Sequence, residues 1–123
     1  MSKPGKTGVA RVVDAFGYSM KGFAATWKYE AAFRQEVGLA VVLIPGAFWL
    51  AQTHVELILL ISSVFWVLMA ELANSSVEAV VDRTGSERHE LSGRAKDIGS
   101  ALVFISLVLL AIVWGIIAFN RFS

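Results

Sequence analysis

The chain has no cysteine, which excludes disulfides, thiolate metal sites and a cysteine nucleophile. It also lacks a GxxxxGK[ST] phosphate loop, a GxGxxG turn, a protein-kinase catalytic-loop pattern and an HExxH zinc motif, so no familiar nucleotide or metal cradle is present. The net charge is only +1, which gives no general affinity for nucleic acid or acidic partners. No cleavable signal peptide is expected, because Lys3 and Lys6 are not followed by a compact apolar core with a small-residue cleavage site. What is present in excess is apolar. Hydrophobic residues make up 56% of the 123 positions, against roughly 45–50%, glycine included, in a soluble domain. A single domain this short has too little interior to bury that excess, so much of it must face lipid.

Apolar residues Val9, Val12, Val13, Phe16, Met20, Phe23 and Trp27 recur at three- and four-residue intervals. That spacing predicts an amphipathic helix over about 7–28. Its other side is basic, so it is expected to lie in the membrane interface. Spanning helices are predicted over about 31–51, 55–82 and 98–120, with the Pro45-Gly46 pair suggesting a kink in the first. The second is about 40 Å long at 1.5 Å per residue, so its last turns should project from the hydrocarbon. A charged loop is expected over 83–97. Lys3, Lys6, Arg11, Lys21, Lys28 and Arg34 precede the first span, and Arg83, Arg88, Arg94 and Lys96 follow the second, whereas Gln52–Glu56 carries no Lys or Arg. By the positive-inside rule the N-terminus and the 83–97 loop face the cytoplasm and the C-terminus lies outside. The expected fold is all-α: one membrane domain over 1–123, with an interfacial helix and three spans.

The chemistry concentrates in the second span. Glu71, Asn74, Ser75, Glu78 and Asp82 fall on one narrow face at 100° per residue, and Leu72, Ala73, Val77, Ala79, Val80 and Val81 lie off it. Ionisable groups near membrane depth face a partner, a cavity or water. Glu30 lies at the same boundary of the first span and should approach the Glu78 level. Two carboxylates converging there need a cation between them, and Mg²⁺ takes one or two carboxylates plus substrate phosphates. Taken alone, Glu30 reads as a plain ion pair with Arg34 four residues on. In the loop, Arg94 and Lys96 suit phosphate oxygens, and Glu87 and Glu90 suit a polar group such as a ribose. The same loop also reads as a solubilising tether, and His89 alone as a surface residue. Ser62, Ser63 and Ser106 are expected to bond back to their own helices.

Three strings carry a resemblance: Glu30-Ala-Ala-Phe-Arg-Gln-Glu36, Glu71-Leu-Ala-Asn-Ser-Ser-Val-Glu78-Ala-Val-Val-Asp-Arg83, and His89-Glu-Leu-Ser-Gly-Arg-Ala-Lys-Asp97. The chain resembles the prokaryotic diacylglycerol kinase family from the interfacial helix through the third span. Ser75-Ser76 is a local and harmless departure. The resemblance implies an ATP-dependent lipid kinase of the bacterial inner membrane, a homotrimer with active sites shared between subunits. It implies Glu71 as general base, Asn74 shaping the reaction centre, and Glu30 and Glu78 holding the Mg²⁺ of MgATP. It further implies that Glu87, His89, Glu90, Arg94, Lys96 and Asp97 position the nucleotide, and that Arg11 and Ser19 close over it. Other readings are undecaprenol kinase chemistry, a small proton-coupled exporter, or an accessory subunit without activity. Three spans and a charged loop count against the exporter, for which four spans and terse loops would be expected.

Overall fold

The computed structural model describes residues 7–84 and 90–123. Among them there is no strand. Four helices follow in order: α1 (Gly8–Tyr29), α2 (Ala31–Leu50), α3 (His54–Arg83) and α4 (Glu90–Phe122). The chain divides into two units, Met1–Ala31 and Ala32–Ser123.

The first unit is essentially α1. Its side-chain hydroxyls turn inward on their own helix: Ser19 donates to the Ala15 carbonyl at 3.0 Å and Thr26 to that of Gly22 at 2.8 Å. The stripe of Val9, Val12, Val13, Phe16, Met20, Phe23 and Trp27 is exposed along its whole length. Lys21 lies over the Tyr18 ring and Lys28 over that of Tyr29, at 5.7 and 5.2 Å from their centroids. The helix ends at Glu30, whose extended backbone (φ −119, ψ 105) leaves one non-helical residue before α2, while its N–H still donates to Thr26 O.

The second unit holds three helices long and apolar enough to cross a membrane. At 1.5 Å rise, α3 and α4 extend about 45 and 50 Å, so both outreach a ~30 Å hydrocarbon layer. α2 runs unbroken through Pro45. The α2–α3 turn is only Ala51–Thr53. It is locked by a reciprocal pair of bonds: Thr53 Oγ1 accepts from the Glu56 N–H at 3.1 Å, and Glu56 Oε1 accepts from the Gln52 N–H at 2.7 Å. This is a capping box displaced by one residue. Its Thr53-x-x-Glu56 signature was readable in the sequence and starts α3 one residue before the expected Val55.

All three helices meet at this end. Ala47 and Leu50 of α2, Leu60 of α3 and Ile117 of α4 form the buried cluster, with Trp114 packed against it. Gly46 lets the Trp114 ring approach to 4.0 Å of where a Cβ would stand. The Trp114 indole donates to Ser63 Oγ at 3.0 Å, and Ser63 donates in turn to the Leu60 carbonyl at 2.7 Å. Ser106 likewise bonds back, to Val103 O at 2.6 Å. In the last turn of α4, Arg121 sits 5.6 Å from the Trp49 ring and 5.9 Å from that of Phe122. Ser63→Ala should lower the unfolding free energy by about 0.6–1.7 kcal/mol, the range of interhelical bonds in membrane bundles. Denaturation in micelles followed by tryptophan fluorescence checks this; an unchanged midpoint would mean the bond contributes nothing.

The outside of this unit is apolar. Phe48, Ile58, Phe65, Trp66, Phe104, Ile105 and Ile116 are exposed, while the buried side chains are small or medium apart from Phe33. Such an inside-out distribution suits lipid as the surrounding solvent.

One boundary needs correction. The loop expected over 83–97 is helical from Glu90 onward, so Glu90, Arg94, Lys96 and Asp97 lie on the first two turns of α4. Leu, Arg, Ala, Lys and Glu are good helix formers, and one glycine at 93 does not outweigh them. Glu90 stands in the first turn, where its charge suits the helix dipole, and Arg94 bonds it at 3.3 Å across one turn.

Candidate active site

α3 and α4 run antiparallel, and their contacts set a register. Leu60 and Ile117 share the cluster at one end, Ser63 meets Trp114, Asn74 meets Gly99, and Asp82 meets Lys96 at the other end. The polar stripe of α3 is therefore laid along α4 at the end away from the three-helix cluster.

Glu71 is the deepest member. It is 6% exposed and is the one ionisable side chain among the described residues that is buried. By helix rise it stands about 25 Å from the start of α3 and about 16 Å from Asp82, which puts it just inside the edge of a ~30 Å apolar layer. A carboxyl group is expensive there, and such groups face a partner, a cavity or water.

One turn on, Asn74 Nδ2 donates to Glu78 Oε1 at 3.2 Å. The amide thus orients one carboxylate oxygen and leaves Oε2 outside that bond. Asn74 Oδ1 is buried and has no hydrogen-bond partner. A buried acceptor of this kind costs about 1–3 kcal/mol, and it lies against the Gly99 backbone of α4. Turning the amide over would aim Oδ1 at the carboxylate, so the orientation with Nδ2 on Glu78 is the one the chemistry favours.

At the end of α3, Lys96 Nζ meets Asp82 Oδ1 at 2.8 Å, with both side chains about half exposed or more. Thr84 closes the helix by donating to Val81 O at 2.6 Å. Of the residues singled out in the sequence, the structure thus joins Asn74 to Glu78, Glu90 to Arg94, and Lys96 to Asp82. Asp97 is exposed on the same turn as Lys96. Arg11, Ser19 and Glu30 belong to the first unit, Arg11 and Ser19 exposed on α1 and Glu30 at its end. Glu87 and His89 lie outside the described residues. No group of three or more His, Asp or Glu side chains that could hold a metal ion occurs among the described residues.

Between α3 and α4 an apolar groove of about 290 Å³ is lined by Trp66, Ala70 and Ala73 on one side and Leu102, Ile105 and Leu109 on the other. Ala70, on its lining, adjoins Glu71 in the chain, although Glu71 itself does not line the groove. Gly99 and this groove escaped sequence reasoning, because neither has a local signature.

The sequence profile of the prokaryotic diacylglycerol kinases matches residues 17–118. Relatives called diacylglycerol kinase are similar along nearly their whole length. That of Haemophilus influenzae is 55% identical over 92% of this chain and 96% of its own. That of Escherichia coli K12 is 53% identical over 95% and 96%. A more distant one, from Helicobacter pylori 26695, is 42% identical over 91% and 88%.

Proposed function

Because this chain belongs to the prokaryotic diacylglycerol kinase family, we propose that it transfers the γ-phosphoryl group of MgATP to the free hydroxyl of diacylglycerol. The products are phosphatidic acid and ADP. The bond between the lipid oxygen and γ-phosphorus forms as the bridging oxygen leaves with ADP, and Glu71 takes the hydroxyl proton. The observation that carries this reading is the burial of Glu71 one turn from the Asn74–Glu78 pair, near the apolar boundary. A lipid hydroxyl lives at that level, and a general base must be within hydrogen-bond reach of the proton it removes. The acyl chains would then follow the groove past Ala70 and Ala73. Its one polar lining hydroxyl, Ser106, is already bonded to its own helix and would not compete with them.

Phosphoryl transfer asks mainly for positioning and charge neutralisation. Magnesium brought in with ATP would offset the charge of the phosphates. Glu78 and Glu30 are the residues that would hold it: Glu78 offers hard oxygen donors, one already fixed by Asn74. Glu90, Arg94, Lys96 and Asp97 on the exposed start of α4, with Glu87 and His89 before them, would position the nucleotide. For Lys96 this means exchanging the Asp82 carboxylate for a phosphate. Arg11 and Ser19 would close over the nucleotide from α1, whose exposed apolar stripe would lie in the interface.

We further propose a homotrimer with sites shared between subunits, in a bacterial inner membrane with the N-terminus cytoplasmic and the C-terminus periplasmic. The basic residues before α2 and around the α3–α4 connection support that orientation.

Competition between dioleoylglycerol and undecaprenol for labelled phosphate in mixed micelles tests the substrate. The expected result is a preference of at least about tenfold for dioleoylglycerol, roughly 1.4 kcal/mol in relative kcat/KM. Preferential phosphorylation of undecaprenol would reassign the lipid. Proton flux in liposomes without ATP turnover would overturn the kinase reading altogether.

A further inference from the structure

Gly99 has no place in the chemistry above, yet it touches the centre of it. A Cβ built on Gly99 would collide with Asn74 Oδ1 and stand 3.2 Å from Asn74 Cγ and 3.7 Å from Asn74 Cα. The glycine is buried, and no other described glycine comes as close to a side chain. The α4 backbone therefore forms one wall of the space in which the Asn74 amide lies.

The amide has two ends and only one is satisfied. Nδ2 reaches Glu78 Oε1 at 3.2 Å, whereas Oδ1 is buried against Gly99 without a hydrogen-bond partner. An asparagine free to relax would carry Oδ1 out to a donor. Here the helix wall holds it in place, and the orientation that results is the one in which the amide donates to the carboxylate.

We infer that Gly99 is a positioning residue for the phosphoryl transfer, acting through Asn74 on Glu78. The missing side chain at 99 lets α4 press the Asn74 amide into the orientation that fixes the Glu78 carboxylate. The role in transfer rests on the kinase reading above; the geometric coupling of 99 to 74 stands independently of it.

Adding a single methyl group tests it. Gly99→Ala displaces the amide and frees the carboxylate, so kcat/KM for MgATP falls about 10–100-fold, as when the support of a metal ligand is lost. The rate saturates at a higher Mg²⁺ concentration, and KM for dioleoylglycerol stays as it was. A glycine needed only for helix packing would disturb both substrates alike.

The decisive comparison adds Asn74→Ala, which removes the group that the new methyl meets. The double variant N74A/G99A is expected to melt above G99A and to be no less active than N74A, because a residue acting only through Asn74 has nothing left to act on. Where G99A does not fold, N74A against N74A/G99A carries the test. The inference fails if G99A keeps wild-type activity and Mg²⁺ dependence, or if the losses at 74 and 99 multiply. A wild type inert towards lipid alcohols would instead count against the proposed function. The inference would then be judged by melting temperature alone: non-additive shifts uphold the coupling and additive shifts overturn it.

Discussion

Glu71→Gln is expected to lower kcat for lipid phosphorylation by about 10²–10⁴-fold, the span a general base contributes. KM for MgATP should hardly move, since the lost interaction is made with the reacting hydroxyl rather than with the nucleotide. Glutamine has the shape of glutamate and carries no charge into the apolar layer, so the variant should melt no lower than the wild type. Steady-state rates with dioleoylglycerol, together with melting in the same micelles, separate these outcomes. A loss smaller than tenfold would move the base to another residue. A large loss accompanied by unfolding would make the buried carboxyl structural.

Glu78→Gln should show a different signature. The Asn74 amide can still donate to the new side-chain oxygen, so the α3 geometry is retained while the negative charge disappears. With one carboxylate fewer for the cation, the Mg²⁺ concentration giving half-maximal rate should rise by at least the roughly 10–100-fold seen when support around a metal ligand is removed. The rate at saturating Mg²⁺ should recover in part. Titrating Mg²⁺ at fixed ATP distinguishes this from the Glu71 case, where no amount of metal restores the rate. An unchanged Mg²⁺ dependence would remove Glu78 from the metal's surroundings.

Both variants rest on a pattern already visible in the sequence. Glu71, Asn74 and Glu78 stand at intervals of three and four on a helix that is otherwise mostly apolar, and periodicity alone puts them on one face. The three spans are equally legible, because lipid imposes length and hydropathy on each segment separately. The start of α4 is not. Charges of both signs and Gly93 make 90–97 look like a loop, while the Glu90–Arg94 bond and the contact of Lys96 with Asp82 favour helix. Asn74 with Gly99, and Ser63 with Trp114, are out of reach for a different reason. Each joins two helices, and which residues meet depends on crossing and register, fixed by packing over the whole length of α3 and α4. The capping box at Thr53–Glu56 is the opposite case, a local signature with a local cause.

The family also narrows what remains to be asked. Membership makes a lipid kinase of this chain, and the transfer from ATP, the product and the base can all be read in one assay. The most direct measurement is the transfer of labelled γ-phosphate from MgATP to dioleoylglycerol in mixed micelles, with wild type and Glu71→Gln side by side. Labelled phosphatidic acid formed by the wild type, and nearly none by the folded variant, is the predicted result. A wild type that leaves the lipid unlabelled, or a folded variant that labels it as fast, would contradict the account.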